Sequence, residues 1–166
     1  KGHPERAVWT KVLLDSLNEK FVSFDSASDS SFFCSKISKL SKEQKLQVWA
    51  TMFAWTAYYE SGWNTASNSQ DVGTASNKDT WSVGLLQLSV VDGPNKSLGY
   101  NFWDLQTGPK NLILGIAIMA KQIDRHGKLL ISKGNSGVYW STLSPNGKYD
   151  KSAKIAVHTR ALEFCR

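Results

Sequence analysis

Residues 41–62 read SKEQKLQVWATMFAWTAYYESG, and the reading of this stretch decides the fold. Ser41 and Gln44 stand at capping-box spacing, where each residue's side chain satisfies the other's free backbone amide. From residue 46 to 59 nearly every side chain is apolar or small. A helix that is apolar all round is one surrounded by protein. Gly62 supplies the left-handed exit that helix ends favour. A central buried helix ending on Glu60-Ser61-Gly62 is therefore expected.

Working outward, residues 5–21 place Val8, Trp9, Val12, Leu13 and Leu17 at helical spacing. A second strongly apolar helix is expected over 109–126, with Pro109 in its first turn and Gly127 at its exit. A last one covers 152–164. The Ser-rich segment 23–41, held by Phe32, Phe33 and Ile37, reads as a long loop with one short helix. Residues 63–81 are polar and have no helical period, as in an exposed loop or small irregular hairpin. Residues 81–91 are apolar but too few for periodicity to choose helix or strand. The expected class is mainly α (α+β), a single domain over residues 1–166 with a minor irregular hairpin.

Composition narrows the function classes. A hydrophobic fraction of 41% and a charged fraction of 20% exclude global disorder. The longest apolar run, residues 112–120, is far short of the roughly 20 residues a membrane-crossing helix needs. With no initiator methionine and no apolar leader, the chain reads as a mature or trimmed form. The net charge of +6 is uneven: residues 121–166 carry nine basic and three acidic side chains, whereas 47–77 hold no Lys or Arg. That layout suits a protein that settles on an anionic polymer and keeps a carboxylate clear of cations. Nucleic acid is not the expected partner, because no phosphate-binding loop or recognition-helix signature occurs. His3, His126 and His158 are far apart and no metal motif is present, so neither a metal nor a nucleotide cofactor is expected. Cys34 and Cys165 allow a disulfide in an exported protein or two buried free thiols.

Glu60 stands out chemically. Ala57, Phe53 and Trp49 lie three, seven and eleven residues before it, on its own helix face. A carboxylate that continues an apolar stripe loses hydration, which raises its pKa. The negative end of the helix dipole acts the same way. Both favour a proton donor near neutral pH, the requirement for a general acid. The loop beyond it carries Trp63, Asn64, Asn68, Ser69 and Trp81, aromatic and amide groups of the kind that hold sugars. Trp9, Trp49 and Trp55 read as core.

The run Glu60-Ser61-Gly62-Trp63-Asn64 followed by Gly84-Leu85-Leu86-Gln87-Leu88 resembles signatures of soluble lytic transglycosylases and goose-type lysozymes. Val138-Tyr139-Trp140 is similar to the family's Ala-Tyr-Asn element, and the resemblance covers about residues 42–143. It implies a lysozyme-like fold in which Glu60 protonates the glycosidic oxygen and Ser61 is a structural hydroxyl. It further implies that Gln87 holds the muramic sugar, that Ser69 lines the cleft, and that Tyr139 orients acid and substrate. Ser89 stands where those enzymes commonly have Met, Trp140 where they have Asn, and the Glu60–Gln87 interval is longer through 70–80.

The expected activity is cleavage of the β-1,4 bond between muramic acid and glucosamine sugars of peptidoglycan by an exported, monomeric bacterial enzyme, periplasmic or extracellular. A non-catalytic cell-wall glycan-binding module on the same scaffold is the alternative. One essential carboxylate is expected, with Asp71, Asp79 and Asp92 read as turn residues.

Overall fold

A computed structural model describes residues 5–71, 80–132 and 139–166. The protein is mainly α with one two-stranded antiparallel sheet. The long helices are α1 (Glu5–Glu19), α3 (Lys42–Ser61) and α6 (Gly108–His126). Shorter ones are α2 (Phe21–Asp25), α4 (Asn95–Leu98), α5 (Phe102–Leu105) and α7 (Ser152–Arg160). Strand β1 (Asn68–Asp71) pairs with β2 (Thr80–Val83), so that Ser69 faces Ser82 and Gln70 faces Trp81. The intervening residues 72–79, with Asp79, and residues 133–138, with Gly137 and Val138, lie outside the described residues. No helix among the described residues is long and apolar enough to cross a membrane.

Helix α3 is the centre of the molecule. Ser41 and Gln44 form the expected capping box, and Gly62 closes the other end at φ 63°. Trp49, Met52 and Phe53 are buried, and the helix packs against α1 and α7. Tyr58, near the exit, is 43% exposed, so the apolar run is wrapped by protein less completely than its composition suggests.

Two departures from the sequence reading, at the ends of the first and last helices, and the segment it left undecided have physical causes. The first helix breaks at Lys20 instead of running to Phe21, and the turn carries Phe21 and Phe24 onto the Trp49 indole at 5.6 and 5.5 Å. The last helix stops at Arg160 and gives way to a 3-10 turn, Glu163–Cys165. That turn delivers Cys165 to Cys34, and the two form a disulfide with Cα atoms 5.2 Å apart. Segment 81–91 is neither a helix nor one strand. It leaves β2 at Val83 and turns sharply, with Val83 and Leu88 exchanging two backbone hydrogen bonds of 2.9 Å.

That turn, residues 84–87, is fixed from α6. Asn111 is fully buried; its side-chain oxygen accepts from the Leu86 N–H at 2.9 Å. Its amide nitrogen donates to the Val83 and Leu105 carbonyls at 2.8 and 2.9 Å. Gly84, at φ 76°, runs so close that a Cβ there would lie 2.2 Å from the Leu105 oxygen. Gly115 leaves the room on α6 that the Leu86 side chain fills. Replacing Asn111 by Leu would strand the Leu86 N–H and the Leu105 carbonyl, each worth about 1–3 kcal/mol, and take from the Val83 carbonyl one of its two donors. Asn111→Leu is expected to lose about 3 kcal/mol or more in urea unfolding, and a loss below about 1 kcal/mol would contradict the clamp.

Candidate active site

Glu60 sits in the last turn of α3, partly buried, on the face it shares with the buried Ala57, Phe53 and Trp49. Its Oε1 accepts a 2.6 Å hydrogen bond from the Thr142 hydroxyl, carried by the 3-10 turn Ser141–Leu143. Burial pushes the Glu60 pKa above the ordinary glutamate value, and the Thr142 hydrogen bond opposes part of that rise. The ion pairs among the described residues, Lys11–Asp15, Lys45–Asp25 and Lys110–Asp104, leave Glu60 out. A carboxyl half removed from water and without a cationic partner is biased toward its neutral, proton-carrying form.

Ser61 ties this helix end to the 84–87 turn. Its hydroxyl lies 3.0 Å from its own helix's Ala57 carbonyl and 2.9 Å from the Leu85 carbonyl, either of which it can donate to. The Trp140 indole N–H donates to the Leu86 carbonyl at 2.9 Å. Trp140 is 4% exposed and sets its ring edge against Phe53, so it acts as packing and does not line a sugar corner. Trp140 and Thr142 are close in sequence, so the indole that pins the turn also sets the hydroxyl that meets Glu60.

Gln87 closes the turn at φ 51°, a left-handed backbone conformation that costs a non-glycine residue about 1–2 kcal/mol. Its side-chain amide nitrogen donates to the Ser67 and Gly84 carbonyls at 3.2 and 2.9 Å. Its side-chain oxygen accepts from the Ser69 hydroxyl of β1 at 3.3 Å. Ser89 is buried, and its N–H donates to Asp92 Oδ2 at 2.8 Å. The Tyr139 hydroxyl donates to that same carboxylate oxygen. Residues 84–89 thus meet Ser61, the neighbour of Glu60, together with Ser69 and Tyr139.

Trp63 is placed elsewhere. Its indole N–H donates to the Ala54 carbonyl at 2.7 Å, its ring meets Trp55 and Tyr58, and the Arg6 guanidinium lies 4.7 Å from its ring centre. It belongs to the packing of α1 against the end of α3, because its polar atom is taken up by the helix it folds back on. Thr142 and Asn111 are the functional residues that sequence reading missed. Asn111 left a trace as a polar residue inside an apolar helix pattern, whereas Thr142, 82 positions from Glu60, left none. Asp92, read as a turn residue, also holds Tyr139. Among the described residues no group of three or more His, Cys, Asp or Glu side chains is placed to hold a metal ion.

No known protein-family model matches this chain, and no curated protein does. Solved structures do. The chain is similar to the wild-type Bd0314 DslA, a Bdellovibrio protein, with TM-score 0.82 and 27% identity over 96% of this chain and 92% of that one. Two DslA variants, each with one glutamate replaced by glutamine, match with TM-scores of 0.82 and 0.81 at 27% and 28% identity.

Three outcomes follow from this geometry. Thr142→Val removes the one interaction that lowers the Glu60 pKa, so the carboxyl should titrate at a higher pH than in the wild type, read from its carbon-13 resonance. Because folding raises this pKa, the associated stability is present below the ordinary glutamate value and lost as pH rises through the folded value. Glu60→Gln should therefore gain on the wild type in thermal unfolding as the pH rises from the ordinary glutamate range through the raised pKa of the folded protein. At the turn, Gln87→Gly should outlast Gln87→Ala in urea by about 1 kcal/mol, since only glycine adopts φ 51° freely. Equal stabilities would show that the backbone relaxes.

Proposed function

We propose that the protein is a peptidoglycan-cleaving glycosidase with a lysozyme-like fold, breaking the β-1,4 bond between N-acetylmuramic acid and glucosamine sugars. The observation that carries this reading is Glu60: a half-buried carboxyl with a raised pKa, one hydroxyl donor and no ion-pair partner among the described residues. Such a group can hand its proton to a glycosidic oxygen while positive charge builds on the departing ring. Gln87 and Ser69, hydrogen-bonded to each other, stand on the adjacent turn and hairpin, with both donors of the Gln87 amide held by backbone carbonyls. Tyr139, set by Asp92, borders the same turn. The Cys34–Cys165 disulfide is consistent with an exported protein in the periplasm or outside the cell.

The charge on the ring can be met in two ways. A second carboxylate activating water gives hydrolysis, whereas the sugar's own hydroxyl attacking the ring, with Glu60 then serving as base, gives an anhydro product. The two glutamates substituted in the DslA variants are eleven positions apart in that chain. Asp71, the last residue of β1, stands eleven positions after Glu60 and is the carboxylate to test for that role.

Glu60→Gln should lower the release of soluble fragments from purified wall sacculi by about 100-fold or more. Full activity in that variant would end the assignment. Mass spectrometry of the wild-type products separates the chemistries: reducing ends together with a comparable loss in Asp71→Asn mark hydrolysis, and anhydro ends mark transglycosylation. Binding to sacculi without any release would instead mark a non-catalytic wall-binding module.

A further inference from the structure

A second cavity opens on the α1 side of the α3 terminus, where the sequence-predicted sugar-binding Trp63 lies. It encloses about 590 Å³, within the roughly 300–1,000 Å³ span of small-ligand sites. Trp9 and Trp63 line it with the parts of their indoles that Arg6, Trp55 and Tyr58 leave uncovered, Asn64, Thr65 and Gln106 give it amide and hydroxyl groups, and Glu5 adds a carboxylate. Asn64 uses its side-chain oxygen to accept from the Ala66 N–H at 3.0 Å, which leaves its amide donors unused among the described residues. The Thr65 hydroxyl and the Gln106 side-chain amide likewise make no hydrogen bond among the described residues. Arg6 is held over the Trp63 ring, so its guanidinium donors are set in place at the rim. By contrast, the cavity of about 480 Å³ between α1, α4 and α6 is floored by Ile113, Ile116 and Ala120 with no aromatic ring.

Indole surface ringed by uncommitted amide, hydroxyl and guanidinium groups is the chemistry that recognises a sugar ring, apolar on its faces and edged by hydroxyls. We propose that the pocket formed by Trp9, Trp63, Arg6, Asn64, Thr65 and Gln106 is a second, non-catalytic saccharide site, which holds a sugar unit of a glycan strand apart from the Glu60 site. This inference rests on the proposed glycan substrate. The pocket shares no lining residue with the Gln87–Tyr139 cluster, so both can be occupied at once.

The test uses the full chain as Glu60→Gln, to prevent turnover, titrated with a soluble uncrosslinked glycan strand of alternating muramic acid and glucosamine. Saturable shifts of the Trp9 and Trp63 indole N–H resonances are expected. In Gln106→Ala and in Thr65→Val the concentration needed for half-saturation should rise about fivefold, the worth of one hydrogen bond. Fixed Trp9 and Trp63 resonances would overturn the second site, even if the wild type still cleaves the strand and the functional proposal stands. Shifts at both indoles with no cleavage by the wild type would leave this site in place and remove the glycosidase reading.

Discussion

Asn111 lends its whole side-chain amide to the backbone of other segments, and the geometry of the candidate site depends on that loan. The 84–87 turn has only the Val83–Leu88 bridge as secondary structure of its own, and two of its residues have positive φ. A turn of that kind would ordinarily sample several shapes. Three hydrogen bonds from one buried amide, in a low-dielectric setting where an unmade bond is costly, select a single shape. Because Asn111 sits within the long helix α6, the turn inherits the rigidity of the core.

Everything chemical is then hung on that turn by short reaches. Ser61 and Trp140 approach it from either side in sequence, the hydroxyl within reach of the Leu85 carbonyl and the indole donating to that of Leu86. The residues beside them, Glu60 and Thr142, come together as a consequence. The acid therefore does not rely on its own long side chain for position. Its backbone is set by the helix end, its oxygen by Thr142, and both are referred to the same two peptide groups. The elevated pKa comes from the dry surroundings and is moderated by a neutral hydroxyl, which avoids the full ionisation that an arginine partner would enforce.

What the sequence made legible was local or periodic. The capping box at Ser41, the glycine exits at 62 and 127, and the stripe that ends on Glu60 all follow from helical geometry within a few residues, and the structure has them. The hairpin could be placed but not drawn, since polar stretches of that length fit several turns. Segment 81–91 was undecidable because its shape is imposed by Asn111 from another element. The break at Lys20 is owed to aromatic packing on Trp49, and the early end of the last helix to the reach of Cys165. Trp63 was legible as a tryptophan near the acid, yet the left-handed step at residues 62 and 63 turns it toward α1. No pattern in a single chain encodes which way such a step sends the next side chain.

The bond between Cys34 and Cys165 brackets every residue of the candidate centre, from Glu60 to Thr142. A protease that nicks the backbone once between the two cysteines therefore releases no fragment. The severed pieces stay covalently linked, and the cluster around the 84–87 turn keeps both of its halves at hand to re-form. Separating the two pieces after a single cut requires reduction of the disulfide as well.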